Sequence, residues 1–448
     1  MTTTATVSPR RAAMAAFFGG TLEYYDFFIY GTAAALVLNQ LFFTELSPAM
    51  GTIAAFATLA VGYIVRPLGA VLFGHIGDRF GRKTALIGTL LTMGLATFLI
   101  GLLPTTSVIG DGAAVLLIAL RIAQGLGIGG ELGNASILAV ESSPANRRGF
   151  YGSFASAGPF TGMVLSTGVF ALLSFLSREQ FMSWGWRVPF LLSAVLIVVT
   201  YAIRRHIAEP HVAEDTRSGG HVEKFPIFQV ARKHKKDVLI ATVMSAGPGT
   251  VFYTVSVFGL SYAVSQYGIG QTTMLVLVTI ASTVLACAVP LWGALSDRIG
   301  RRKLIITGML CEAIFIFGYF LSLPTRDPVL ILLGMIVVLG FGHALVNGVQ
   351  PALFCEMFPV EVRSSAISLG QQLGGAINGL APVIAAAIIA ATPGGWYWIA
   401  TYAGGLCFLG AVAALFAVAR WGAADSFTSA HEAAKDFEAG TASVRVPS

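Results

Sequence analysis

The chain has 448 residues, 55% hydrophobic and only 11% charged, with a mean hydropathy of +0.77. A water-soluble domain carries about 25% charged residues. A chain with less than half that share cannot coat a water-facing globule, so lipid must be its main solvent. The net charge of +6 sits between apolar spans, which makes it a topology signal and argues against a nucleic-acid partner.

The N-terminus, MTTTATVSPRRAAMAAFFGG, opens like a leader peptide. The apolar stretch runs on to about Phe43 with no convincing cleavage site, which predicts a retained first span. Further apolar spans follow near 52–76, 84–103, 113–140, 149–176, 188–206, 237–266, 272–296, 302–323, 328–356, 364–391 and 395–421. Each suits the roughly 20 residues that a helix needs to cross hydrocarbon. Twelve spans place both ends on one side. Arg10, Arg11, Arg79, Arg82, Lys83, Arg147 and Arg148 fall there, as do their counterparts through Arg363, whereas the other side holds only Arg178, Arg187 and Arg326. The positive-inside rule predicts cytoplasmic termini.

The chain repeats itself. The loop after span 2 reads Gly74-His-Ile-Gly-Asp78-Arg79-Phe-Gly81-Arg82-Lys83, and the loop after span 8 reads Gly293-Ala-Leu-Ser-Asp297-Arg298-Ile-Gly300-Arg301-Arg302-Lys303, 219 residues on. Leu103-Pro104-Thr105 recurs as Leu323-Pro324-Thr325, and Glu141…Pro144…Arg147 has a partner in Glu356…Pro359…Arg363. Landmarks in one order at nearly one offset predict a duplicated six-helix unit. The expected fold is an all-α membrane protein of twelve transmembrane helices in two pseudo-symmetric bundles, residues 1–206 and 237–422. A polar cytoplasmic linker, 207–236, and a cytoplasmic tail, 423–448, complete it. Parallel halves related by an axis along the membrane normal expose a midplane site alternately by rocking.

The twice-present GxxxDRxGRK loop resembles the signature of the major facilitator superfamily. Three further segments resemble its metabolite:H⁺ symporter family: Glu23-Tyr-Tyr-Asp26-Phe-Phe-Ile-Tyr30-Gly31, Arg66-Pro67-Leu-Gly69, and Arg121-Ile-Ala-Gln124-Gly125-Leu-Gly127-Ile-Gly129-Gly130-Glu131. Ser47-Pro-Ala-Met-Gly-Thr-Ile-Ala-Ala-Phe56 and Phe181-Met-Ser-Trp184-Gly-Trp186-Arg187 bring it near the shikimate permease branch. The resemblance runs from span 1 to span 12, although the sugar-porter signature after span 6 and the coiled-coil tail of osmosensing betaine carriers are missing. It implies that Gly74, Asp78, Arg79, Gly81, Arg82, Asp297, Arg298 and Arg301 latch the halves on the cytoplasmic side. It further implies proton-coupled uptake of a small organic acid, a shikimate-like monocarboxylate in particular, across a bacterial inner membrane. No cofactor beyond the coupling proton is expected, and a monomer suffices.

Five ionisable side chains fall at bilayer depth in the first half: Glu23, Asp26, Arg66, Arg121 and Glu131. Such groups are costly unless paired or hydrated, and they are functional by default. Glu23, Asp26 and Tyr30 share one helix face at i, i+3 and i+7. Arg121, Gln124 and Glu131 lie within about a quarter turn, and Arg66 lies about 18 Å from the Asp78 loop at 1.5 Å per residue. Carboxylates beside an arginine can hold or release a proton as their surroundings change. A solute carboxylate could compete for that arginine and so couple binding to protonation. The resemblance makes Asp26 and Arg121 the leading proton-coupling pair, with Glu23, Glu131 and Arg66 behind them. A static ion network that only stabilises the bundle is the competing reading.

The second half offers uncharged groups. His343, Asn347 and Gln350 form one stripe, Gln371 and Asn378 another, and span 7 adds Tyr253 and Tyr262. With Tyr30, Arg121 and Gln124 they are the expected solute contacts, unless they serve as interhelical hydrogen bonds. Glu312 stands isolated in span 9, with no role assigned. The span 4 glycines suit close helix packing, because a phosphate loop would follow a strand. Cys287, Cys311, Cys355 and Cys407 sit in apolar runs without a metal-binding pattern and read as small hydrophobes. Gly158-Pro159-Phe-Thr-Gly162 partly matches a drug/H⁺ antiporter pattern, which keeps export as an alternative. A dicarboxylate or a zwitterion such as betaine is the alternative cargo. An enzyme is not expected, since no nucleophile–base or metal-ligand set stands out.

Overall fold

Apolar runs of this length must satisfy their backbone groups internally, and helices do so within one segment. The computed structural model describes residues 8–129, 134–198, 233–360 and 362–417, and leaves aside the side chains of Asp78, Arg82, Lys83, Asn134 and Ala135. Among the described residues there is no strand. The first half comprises α1 (Pro9–Leu36), α2 (Pro48–Ile64, resuming at Arg66–Phe80), α3 (Arg82–Leu102), α4 (Gly112–Gly129, then Asn134–Glu141), α5 (Arg148–Leu173) and α6 (Gly185–Val198). The second comprises α7 (Lys235–Tyr267), α8 (Gln271–Ile299), α9 (Arg301–Ser322), α10 (Pro328–Met357), α11 (Arg363–Ala391) and α12 (Trp396–Phe416). Ten of these are long and apolar enough to cross a bilayer by those criteria alone. The other two are α1, which carries Glu23 and Asp26 in its middle, and α6, described only to Val198. The twelve-helix architecture expected of the sequence is the one observed. The expected linker and tail, and Glu131, lie outside the described residues, apart from the last residues of the linker, where α7 begins.

Local chemistry sets the breaks. The Ser8 hydroxyl accepts from the Arg11 N–H at 3.3 Å, and Pro9 occupies the first turn of α1, where its missing N–H costs nothing. Pro67 lacks an N–H, and α2 breaks at Val65, one residue before Arg66. Both signature loops turn at a glycine with positive φ, Gly81 at 93° and Gly300 at 102°. Two π-helical stretches interrupt the second half, Thr254–Phe258 in α7 and Ile336–His343 in α10.

Within the halves, α1 packs along α5, and α7 packs along α11 and α12. Between the halves, α5 packs on α8 and α10, and α2 packs on α11. The α5–α8 crossing is close because Gly149 and Gly293 face each other backbone to backbone.

On the face where α1 begins and α12 ends, this crossing is fastened by charge. Asp297, at the end of α8, accepts from the N–H groups of Gly149 (2.8 Å) and Phe150 (3.0 Å) in the first turn of α5. Those donors are free of intrahelical partners and sit at the positive end of the helix dipole. Arg301 donates to Asp297 at 3.0 Å and pairs with Glu356 of α10. Arg363 of α11 bonds Glu141 of α4 at 2.6 Å, joining the halves a second time. Arg79 and Arg298 are exposed, and neither makes an ion pair among the described residues. Gly74 lies within α2.

A hydrogen bond to a charged group contributes about 1.5–3 kcal/mol. Replacing Asp297 with Ala is therefore expected to open this face by about tenfold or more in population. In a Cys287→Ser background, buried Cys355 beneath the Glu356 pair should react with maleimide correspondingly faster by site-resolved mass spectrometry. An unchanged rate would show that Asp297 does not hold the halves together.

Candidate functional site

The centre of the first half is built on Phe27, a residue without charge. The guanidinium carbons of Arg66 and Arg121 lie 4.5 and 4.4 Å from the centroid of its ring. Arg66 also lies 4.0 Å from the Tyr63 ring, and Arg121 lies 4.1 Å from the Tyr30 ring. Three helices thus converge at the Phe27 ring: α1 brings Phe27 and Tyr30, α2 brings Tyr63 and Arg66, and α4 brings Arg121. A desolvated cation over an aromatic ring gains about 2 kcal/mol, which offsets part of the cost of burying it. Arg121 is 0% exposed.

Gln124 organises the rest. It accepts from Arg121 Nη1 and donates from Nε2 to the Thr97 hydroxyl (2.9 Å) and the Asp26 backbone carbonyl (3.1 Å). Arg121 Nη2 reaches the Leu59 carbonyl at 3.5 Å. Asp26 and Arg121 therefore belong to one cluster with Gln124 between them, and no ion pair joins them among the described residues. Arg66 Nε and Nη2, Arg121 Nε and Asp26 Oδ1 are buried and make no hydrogen bond among the described residues. Groups of this kind are rare and costly. Glu23 lies a turn before Asp26, half-buried.

Arg121 reaches this position through a gap left by Gly62. A Cβ there would stand 2.5 Å from Arg121 Nε and 2.8 Å from its Cζ. Close packing, the reading made of the span 4 glycines, is what Gly125, Gly127 and Gly129 do against α2 and α3. Gly130 and Gly133 lie outside the described residues.

The halves meet directly beside the cluster. The Tyr63 and Tyr253 hydroxyls share a hydrogen bond across them. Phe28 of α1 packs on Phe252 (5.7 Å) and Tyr253 (6.2 Å) of α7. Tyr30, expected to touch solute, is bonded to Thr58 at 2.5 Å and sealed inside the first half. Contacts between the halves lie on both sides of this level. Besides the Asp297 and Arg363 fastenings, Thr272 donates to the Ser174 carbonyl at 3.2 Å, and Phe56 packs on Phe258.

The polar stripes of the second half are largely bonded to their own bundle. Asn347 donates to the His343 carbonyl (3.0 Å) and Gln350 to the Ser245 hydroxyl (3.4 Å). Asn378 donates to the Ser245 carbonyl at 3.3 Å and accepts from Thr250 at 3.5 Å. Gln371 lies half-buried two turns earlier on α11. Tyr262 lies further along α7, stacked on Phe258. Glu312 is not isolated. Its Oε1 lies 2.7 Å from His343 Nδ1, and its Oε2 accepts from the Cys407 thiol at 2.9 Å. Residue spacing could not join α9, α10 and α12 at one carboxylate. Phe27 and Tyr63 were missed as well, although aromatic residues flank Asp26 and Arg66 in the sequence.

A bundle of twelve helices in two halves, with buried charge inside the first half beside their interface, is the architecture of a membrane carrier. Residues 12–210 match the Sugar (and other) transporter family, and residues 249–441 match the Major Facilitator Superfamily. The chain is 38% identical over 410 residues to the Shikimate transporter of Escherichia coli (strain K12), covering 91% of this chain and 94% of that protein. It is 32% identical over 392 residues to the Glycine betaine/proline/ectoine/pipecolic acid transporter OusA of Dickeya dadantii, covering 85% of this chain and 77% of the relative. A crystal structure of a D-xylose-proton symporter superposes with a TM-score of 0.68 at 21% identity, covering 91% of this chain and 97% of that one. The chain belongs to the major facilitator superfamily, in its metabolite:H⁺ symporter family. It is a multi-pass membrane transporter of small solutes, and no enzyme.

Because a Cβ on Gly62 would stand within 3 Å of the Arg121 guanidinium, Gly62→Ala should displace it at a cost of about 1–3 kcal/mol, the usual range for overpacking. A lowered melting temperature in detergent is the expected reading, together with solute transport reduced beyond the loss of folded protein. Wild-type melting and transport in this variant would refute the packing just described.

Proposed function

We propose that the protein is a proton-coupled symporter that takes up a small hydroxylated organic acid, a shikimate-like monocarboxylate, across the bacterial inner membrane, acting as a monomer with both termini cytoplasmic. The observation that carries this reading is the pair of buried guanidiniums on Phe27, whose N–H groups Arg66 Nε, Arg66 Nη2 and Arg121 Nε are without hydrogen-bond partners among the described residues. A carboxylate is the ligand whose geometry matches a guanidinium fork, and a single carboxylate on two cations suits a monoanion better than a zwitterion. The name of the Escherichia coli relative supports the class.

Coupling follows from competition. Asp26 Oδ1 is buried beside the cluster without a partner of its own, and Gln124 links its backbone to Arg121. Solute carboxylate arriving at the guanidiniums would pull Gln124 and Arg121 together with it and change the field at Asp26. Proton and anion would then cross together, as symport requires. Glu23 and Glu131 are the further acids in this scheme. Tyr253 and the Asn347, Gln350, Gln371 and Asn378 groups would meet solute hydroxyls once rocking separates Tyr63 from Tyr253.

The test is reconstitution in liposomes with an inward proton gradient, comparing labelled shikimate, a dicarboxylate and betaine. Acid-driven accumulation of shikimate is expected, abolished in Asp26→Asn while exchange of labelled for unlabelled solute survives. Accumulation by Asp26→Asn equal to wild type would remove Asp26 from coupling, and betaine or dicarboxylate transport in place of shikimate would overturn the solute class. Arg121→Lys should lose binding by about tenfold or more, because an ammonium has neither the planar fork nor the ring stacking of a guanidinium.

A further inference from the structure

Glu312 is 0% exposed, at the centre of the second half, and the scheme above leaves it unused. Its carboxylate is held by three helices: His343 Nδ1 of α10 at 2.7 Å, the Cys407 thiol of α12 at 2.9 Å, and its own α9. The titratable groups that face it are His343, Cys407 and, on α9, Cys311. No arginine, lysine or second carboxylate enters its surroundings among the described residues. The α9–α10 approach is tight, since a Cβ on Gly342 would lie 2.9 Å from Glu312 Cγ.

His343 has a second set of neighbours. Its ring stacks on Phe252 of α7 at 5.0 Å and 17°, and meets Phe160 of α5 edge-on at 5.3 Å. Phe160 belongs to the first half, so His343 is a contact between the halves. Phe252 continues to Phe28, next to the Phe27 on which both arginines lie. The π-helical stretch of α10 ends at His343, and that of α7 begins two residues after Phe252. Such stretches occur often at functional sites.

We propose that Glu312 and His343 form a second proton-binding site, in the C-terminal half, whose occupancy controls how firmly the halves adhere through His343. The proposal rests on the proton-coupled reading above. The balance is simple. A carboxylate with a neutral imidazole carries one negative charge. One proton from water makes the pair neutral, shared between Oε1 and Nδ1 as imidazolium–carboxylate or as carboxylic acid with imidazole. The proton returns to water on the other face when the halves rock. With the proton on the imidazole, a cation lies against Phe252 and Phe160, an attraction that deprotonation removes. Loading would thus favour the closed arrangement seen here, and Cys407 keeps the carboxylate oriented by donating to Oε2.

Infrared difference spectra of purified protein in lipid nanodiscs, titrated from about pH 5 to about pH 9 across the histidine and perturbed-carboxyl range, test this without knowledge of the solute. A protonation signal of the pair, in the imidazole ring or carboxyl bands, is expected that Glu312→Gln and His343→Gln each remove or displace by about one pH unit or more, and that Asp26→Asn leaves in place. Should Glu312→Gln not fold, Cys407→Ala removes one donor from the same carboxylate and must displace the same signal. In liposomes, with shikimate as the probe, Glu312→Gln should accumulate about tenfold less solute than wild type with exchange retained, a loss within the range of site-to-site couplings. Titrations of wild type and Glu312→Gln that superimpose, or undiminished accumulation, overturn the proposal. If wild type fails to transport shikimate, the solute reading alone fails and the spectra still decide this site.

Discussion

Two guanidiniums in the middle of a lipid-soluble protein are the constraint around which the first half is built. Charge at that depth is costly unless something replaces water, and here the replacement is mostly aromatic. Phe27 serves both cations at once, Tyr30 and Tyr63 each serve one, and Gln124 and a main-chain carbonyl take single N–H groups. Rings attract a cation but leave its in-plane donors unspent, and among the described residues Arg66 Nε, Arg66 Nη2 and Arg121 Nε have no hydrogen-bond partner. The proposed symport uses those open donors, because a permanent internal anion would compete with the cargo.

The two halves share a plan and differ in what they do with it. In the first half, charge gathers beside the interface, and the hydrogen-bonded Tyr63 and Tyr253 hydroxyls join the two halves next to it. In the second half, one acid is sealed among three helices and touches the interface only through the imidazole it holds. Phe28 and Phe252 lie between the two centres and connect them by direct ring contact. Because cores are close-packed, a shift of one ring must be taken up by its neighbours, so binding in one half can bias packing in the other.

The terminal face shows how duplication is put to use. Asp297 does not stay within its own bundle: it closes on the first turn of α5, in the other half. The fastening is electrostatic and dispersed over Asp297, Arg301, Glu356, Arg363 and Glu141. Several moderate contacts of this type can be broken in sequence by a rocking motion, whereas an apolar seal of equal strength would have to open at once.

Hydropathy alone was enough to count the spans, because twelve apolar segments have no alternative to helix in lipid, and the 219-residue repeat divided them into halves. Buried charge likewise singled out Asp26, Arg66 and Arg121, since ionisable groups at that depth are costly unless paired or hydrated. Which groups would touch was another matter. Spacing along one helix defines a face but not the helix opposite it, so the expected Asp26–Arg121 pair became a relay through Gln124, and Phe27 went unnoticed among many aromatics. Glu312 looked solitary for the same reason, its partners lying 31 and 95 residues away on other helices. Tertiary structure alone decided these contacts, because they depend on helix crossings set by glycines such as Gly62 and Gly342, where backbones approach closely enough for side chains from three helices to meet at one point.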